Sequence, residues 1–258
     1  MKNLYKYMFF LSISLFAVSC EIDNYDGPDA TIQGTIFSST DNQPLQVDHG
    51  TGIIRIREVS WAKGDPDAYV GNQTLKVQQD GTYRHTKMFS GEYLILPYNG
   101  AFYPYDDSYK DNEDEAGELL KIGKGTTKDF TVTPYLSIEW VSEPTVLPDN
   151  KISCSVRFKR NQKSGYDMPD MKEAWLLISR TVNTGSRDLD LYPKALALTN
   201  DMEGQVLEFI SERPVKYTGI SYWIRVSMNC QTAAENASTN YPGMGANNFT
   251  TIKEIQVP

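Results

Sequence analysis

The chain opens on an apolar run and then settles into short stretches of alternation. From Tyr7 to Val18 (YMFFLSISLFAV) it is apolar apart from two serines, with Lys2 and Lys6 ahead of it. Such a run suits the hydrophobic region of a signal peptide and is too short to span a bilayer. Beyond residue 30 the apolar positions recur at every second residue, the period of a strand with one buried face. In Gly52–Glu58, Ile54 and Ile56 share one face, and Arg55 and Arg57 the other. Lys151–Arg160 turns Ile152, Cys154, Val156 and Phe158 inward, and Tyr222–Cys230 does so with Tyr222, Ile224, Val226, Met228 and Cys230. Further strands are expected at Thr31–Phe37, Leu75–Val77, Gly91–Pro97, Thr127–Thr133, Ala174–Ser179, Gln205–Ile210 and Thr250–Val257. Asp41–Leu45 and Asp80-Gly81 supply turn chemistry. Sixteen tyrosines, thirteen prolines and eighteen glycines favour strands and turns over helices. The pattern predicts an all-β chain of two β-sandwich domains, residues 30–134 and 135–258.

The apolar run ends at Ala17-Val18-Ser19-Cys20, which resembles a bacterial lipobox. The resemblance implies a signal peptide over residues 1–19 and acylation of Cys20, where more than one acyl chain gives stable anchoring. An ordinary secretory signal with an incidental cysteine is the alternative. Residues 20–29 read as an acidic tether, with Glu21, Asp23, Asp26 and Asp29 and no apolar periodicity. This stretch resembles the surface-export signal of Bacteroidota lipoproteins and implies an outer-membrane protein facing the cell exterior; a plain solvated linker has the same composition. Loss of Lys2 and Lys6 with the leader takes the net charge from −8 to −10. So acidic a chain does not suit nucleic acid, whose phosphates need a basic partner surface.

The order Ile32-x-Gly34-x-Ile36, Pro44-Leu45, strand, Asp80-Gly81-Thr82-Tyr83, Gly91-Glu92-Tyr93 resembles the carboxypeptidase-regulatory or transthyretin-like β-sandwich, a seven-stranded and usually non-catalytic module. With Asn99-Gly100-Ala101-Phe102-Tyr103-Pro104 and Phe130–Leu136, nearly the whole chain is similar to a Bacteroidota outer-membrane lipoprotein family of unknown function. Membership implies association with starch-utilisation-type polysaccharide uptake systems. The second domain resembles an immunoglobulin- or fibronectin-like sandwich, with Tyr222–Val226 as its late, tyrosine-bearing strand.

Candidate chemistry is sparse. His49 and His85 are the only histidines, and no His-x-x-x-His or Cys-x-x-Cys occurs, so a transition-metal site has little support. No serine-nucleophile elbow, phosphate loop or dinucleotide fingerprint is present. Cys154 and Cys230 both fall on apolar strand faces with Trp175 between them; a disulfide and two buried thiols are both open.

Phe102–Glu118 is the unusual composition, four aromatics followed by a run of carboxylates. Loops on a β scaffold often carry binding. Aromatic faces stack on sugar rings, which makes Tyr103, Tyr105 and Tyr109, with Trp61, candidate glycan-binding residues. Asp106, Asp107 and Asp111 could hold calcium, which takes six to eight oxygens; a solvated acidic loop is the plainer alternative. No other cofactor is indicated. The expectation is a non-catalytic surface lipoprotein, accessory to polysaccharide capture and uptake, with a polysaccharide, outer-membrane lipid and transporter proteins as partners. A structural spacer or assembly subunit without glycan binding competes with it, and a hydrolase is the least favoured class.

Overall fold

A computed structural model describes residues 27–60, 70–106, 116–186, 194–236 and 240–258. The leader, Cys20, most of the tether, Trp61, Asp107, Tyr109 and Asp111 lie outside the described residues. No helix among the described residues is long and apolar enough to cross a membrane.

The first domain is two four-stranded sheets. β1 (Ala30–Ser38), β4 (Thr82–Met88), β7 (Thr126–Thr127) and β8 (Phe130–Val132) form one, with β4 antiparallel to β1 and β7 and β8 parallel to it. β2 (Thr51–Glu58), β3 (Gln73–Val77), β5 (Gly91–Pro97) and β6 (Glu118–Ile122) form the other, in the order β3-β2-β5-β6. Between them lie Ile32, Ile36, Ile54, Ile56, Val77, Tyr83, Ile95, Phe102 and Phe130.

The family-like motifs have local physical causes. Gly34 has no room for a side chain, because a Cβ there would stand 1.8 Å from the Lys128 carbonyl oxygen. That carbonyl sits in the break between β7 and β8, held over β1 by Lys128 N–H donating to the Gln33 carbonyl and Thr35 N–H to Asp129 Oδ1. Gly81 takes φ +79°, the left-handed region, and Asp80 Oδ1 accepts from the Thr82 N–H and hydroxyl. Tyr83 then buries its ring beside Phe130 and donates its hydroxyl to the Lys128 carbonyl.

The second domain pairs β9 (Leu136–Val146), β10 (Ile152–Arg160) and β13 (Leu207–Ile210) in one sheet. The facing sheet runs β12 (Lys194–Ala197), β11 (Met171–Ser179), β14 (Ser221–Cys230), with β15 (Asn247–Phe249) and β16 (Lys253–Gln256) both on the far side of β14. The alternation expected in β10 and β14 fills the core between the sheets. Tyr222, at the start of β14, donates its hydroxyl to the Tyr217 carbonyl at 3.1 Å. A tyrosine bonding back to a backbone a few residues upstream is the tyrosine corner of immunoglobulin-like sandwiches.

Two expectations change, and one open alternative is decided. β2 is buried on both faces, since a bulge after Gly52 turns Ile53 into the core and Arg55 lies buried against the Tyr98 ring, 4.4 Å from its centroid. Arg225 is likewise buried where the alternation of β14 places it outward, because the first domain covers that face. Cys154 and Cys230 are free thiols. Cys230 pairs with Met171 across β14 and β11, two residues from Pro169, whose carbonyl accepts from Arg160 at one end of β10, whereas Cys154 is six residues back along that strand, about 20 Å at strand rise. A disulfide needs its Cα atoms within about 7 Å. Trp175 is half-buried on the outer face and is not the core tryptophan of a bridged pair.

Candidate functional site: the cleft between the domains

The two sandwiches are joined by interlocking contacts as well as by the chain. After β5 the segment Tyr98–Asp106 crosses to the second domain, and its own period of two divides it between cores. Phe102 enters the first core, while Ala101 and Tyr103 enter the second. The Ala101 carbonyl accepts from Tyr135 N–H at 3.0 Å and Asn248 Nδ2 at 2.9 Å. Tyr103 is fully buried, makes an edge contact with Tyr135 at 4.9 Å and a tilted one with Tyr166 at 5.7 Å, and donates its hydroxyl to the Asn161 carbonyl at 2.9 Å. Gly243, in the left-handed region at φ +80°, lets its loop close on Gly100, whose carbonyl oxygen would be 2.1 Å from any Cβ.

A second clasp lies on the outer face of β14. Arg225 is fully buried, donating from Nε to the Thr250 carbonyl at 3.1 Å and from Nη1 to Val47 at 3.0 Å and Thr184 at 3.3 Å. Phe249 lies under its guanidinium at 4.3 Å. The next residue of the first domain, Asp48, accepts from Ser186 N–H and hydroxyl in the second. Burial lowers the Arg225 pKa to about 10, and the nearby Asp48 carboxylate opposes that shift.

Where the sheets part, they leave a cleft of about 770 Å³. The first domain contributes its β1–β2 turn, Thr40 to Gln46; the second contributes the start of β9, the end of β10, and Asn248 and Thr251 beside β15. Its floor is apolar, with Leu45, Leu136, Phe158 and Phe249. Its rim is polar. Glu139 and Arg157 pair across β9 and β10 at 3.3 Å, Asn161 Nδ2 donates to Ser137 Oγ at 2.9 Å, and Glu203 Oε1 accepts from Arg160 N–H at 2.9 Å. The side chains of Gln43 and Lys159 make no bond among the described residues and stand exposed at the opening. An apolar floor with convergent donors and acceptors is the usual form of a small-ligand site.

Of the candidates named from sequence, Tyr103, Tyr105 and Asp106 are described, and none of the three lines this cleft. Tyr103 is an interdomain core residue and offers no face to a sugar. Tyr105 is half-buried, edge-on to Phe130 at 5.6 Å, with its hydroxyl given to Glu118, which also accepts from Lys128. Both rings are committed to packing because the loop that carries them is a domain junction. Asp106 is half-buried, and no cluster of three or more His, Cys, Asp or Glu capable of holding a metal occurs among the described residues. The cleft was missed because its wall comes from five separated segments, none with an unusual composition.

Buried acids of low polarity dominate the titration behaviour. Burial pushes the Cys154 thiol up from 9.0 to about 12, and the Cys230 thiol equally, with Arg160 pulling the latter down. Burial raises Tyr93 and Tyr103 from 10.0 to about 12 and raises Tyr83 and Tyr105 further. A folded-state pKa above the unfolded value gives stability that is complete below the unfolded pKa and lost as pH rises through the folded one. The expected result is a melting temperature that falls from about pH 9 towards pH 12. Thermal melts across that range check it, and a C154A/C230A variant should lose part of the slope between pH 9 and 10.

Residues 30–133 match the family model described as "Protein of unknown function (DUF3823) N-terminal domain". No curated protein matches the chain. A DUF3823 family protein from Bacteroides uniformis is similar in structure, at 20% identity and TM-score 0.69, covering 90% of this chain and all of its own. A second Bacteroides uniformis protein, named provisionally as carbohydrate binding, is similar at 20% identity and TM-score 0.64, with the same coverage. A DUF3823 family protein from Parabacteroides merdae is similar at 14% identity and TM-score 0.60, again covering 90% of this chain and all of its own. At these identities the structures establish the fold across both domains. The chain therefore carries a DUF3823 N-terminal domain over residues 30–133, in a two-domain all-β fold shared with solved structures of that family of unknown function.

Proposed function

We propose that this protein is a non-catalytic, glycan-binding lipoprotein of the outer-membrane surface, accessory to polysaccharide capture and uptake, and that the interdomain cleft holds the glycan. The observation that carries this reading is the cleft itself, whose apolar floor and amide, hydroxyl and charged rim suit a sugar's carbon face and hydroxyls. The provisional carbohydrate-binding name of one structural relative supports it. Cys20 and the acidic tether support the anchoring and outward-facing part of the proposal, and the conversion Cys20→Ala should release the protein from the membrane fraction. The cleft carboxylates Asp41, Glu139 and Glu203 are all exposed, unlike the proton donor of a glycosidase, which is kept protonated by an apolar pocket. That favours binding over hydrolysis.

The test is retention of the chain from residue 21 onward on a panel of plant, host and microbial polysaccharides. One glycan class should retain it. The double variant Q43A/K159A should bind that glycan about tenfold more weakly, the loss of two hydrogen bonds of about 0.5–1.5 kcal/mol each. Its melting temperature should not change, because both side chains are exposed and neither bonds among the described residues. The spacer reading has its own observation, the interlocking of the two domains through Tyr103 and Arg225. It predicts no retention by any glycan and co-purification with membrane partners.

A further inference from the structure

At the end of the second domain where β11 finishes and β14 begins, an exposed aromatic ring stands with two cations. Tyr217 is 44% exposed, and its place is fixed by its backbone and not by its ring. Its N–H donates to the hydroxyl of the fully buried Tyr222 at 3.2 Å, and its carbonyl accepts from that same hydroxyl at 3.1 Å. The Arg180 guanidinium lies 5.2 Å from the ring centroid and the Lys216 ammonium 5.3 Å from it. Arg180 is exposed, and the ring is its sole partner among the described residues. Val182 and Ile220, close by along the chain, are exposed as well. In a chain of net charge −8, a guanidinium with no carboxylate partner among the described residues, beside a rigid, exposed aromatic, is a feature suited to an anionic ligand.

Each part has a counterpart in one ligand chemistry. An arginine fork matches a carboxylate or sulfate in two parallel hydrogen bonds, and the cation–π contact holds that fork ready. A tyrosine ring packs on the carbon-bearing face of a sugar, and its hydroxyl both donates and accepts. We propose that the Tyr217 corner is a binding site for an acidic saccharide unit, carboxylated or sulfated, with the acid group on Arg180 and the sugar ring against Tyr217. This site is separate from the interdomain cleft, so each stands or falls on its own variants.

The experiment is affinity electrophoresis of the chain from residue 21 onward through gels containing polygalacturonate, chondroitin sulfate, dextran or poly-glutamate. The expected result is retardation by at least one of the two acidic polysaccharides, weakening as salt is raised. Whichever polymer acts shows whether the acid is a carboxylate or a sulfate. Y217A and R180A should each weaken that retardation about fivefold at an unchanged melting temperature, and Q43A/K159A should leave it as it is. No retardation by either acidic polysaccharide overturns the proposal. So does retardation that survives both variants, or equal retardation by poly-glutamate, which would mean attraction to bare charge.

Discussion

Replacing Arg225 by alanine is expected to lower the melting temperature by about 8–15 °C. The guanidinium is fully buried and serves three backbone carbonyls, Thr250 and Thr184 in its own domain and Val47 in the other. Hydrogen bonds from a charged donor contribute about 1.5–3 kcal/mol each, and truncation also opens a cavity over Phe249. A loss of about 4 kcal/mol is a reasonable centre, and at this chain length each kcal/mol moves the midpoint by about 2–4 °C. Arg225→Lys keeps the charge but presents a single ammonium in place of the planar fork, so it should recover less than half of the loss. Thermal melts of both variants check the prediction. A variant within a degree or two of the parent would mean that the clasp contributes little to the union of the domains.

Tyr103→Ala should be the other severe substitution, at about 3–5 kcal/mol, the usual cost of removing a buried aromatic. Its ring packs on Tyr135 and Tyr166, and its hydroxyl is bonded to Asn161, so the loss falls on the second core although the residue belongs to the first domain's chain segment. Tyr103→Phe keeps the ring and should cost about 1 kcal/mol, the worth of one hydrogen bond. Limited proteolysis adds a second readout, since Tyr103→Ala should expose the Thr133–Leu136 seam while Tyr103→Phe should not. A surface platform for sugars would behave in the opposite way, losing glycan affinity at an unchanged melting temperature.

The fate of Tyr103 shows how far this sequence can be read. Alternation within a segment is a local property, so the inward faces of β10 and β14 are legible from residues alone. The same holds for the turn at Asp80-Gly81 and for the tyrosine of β14, whose chemistry is spent on neighbours in sequence. What lies on the far side of an element is not local. Arg55 and Arg225 look solvated by period and are buried because Tyr98 and the Val47–Asp48 turn arrive from elsewhere. The aromatic and acidic composition around Phe102 stands out, but its cause is different from the one expected. Its aromatic part is a plug between two cores, and rings that must fill a core look the same in sequence as rings that await a ligand. The cleft, in turn, exists only once Thr40–Gln46, Ser137–Glu139 and Arg157–Asn161 have been brought together.

The reading that this cleft is where glycan binds is tested most directly by hydrogen–deuterium exchange of the chain from residue 21 onward, with and without the polysaccharide that retains it. The account predicts slowed exchange confined to three separated segments, Asp41–Gln46, Ser137–Glu139 and Arg157–Asn161. Slowed exchange elsewhere, with those three segments unchanged, would contradict it.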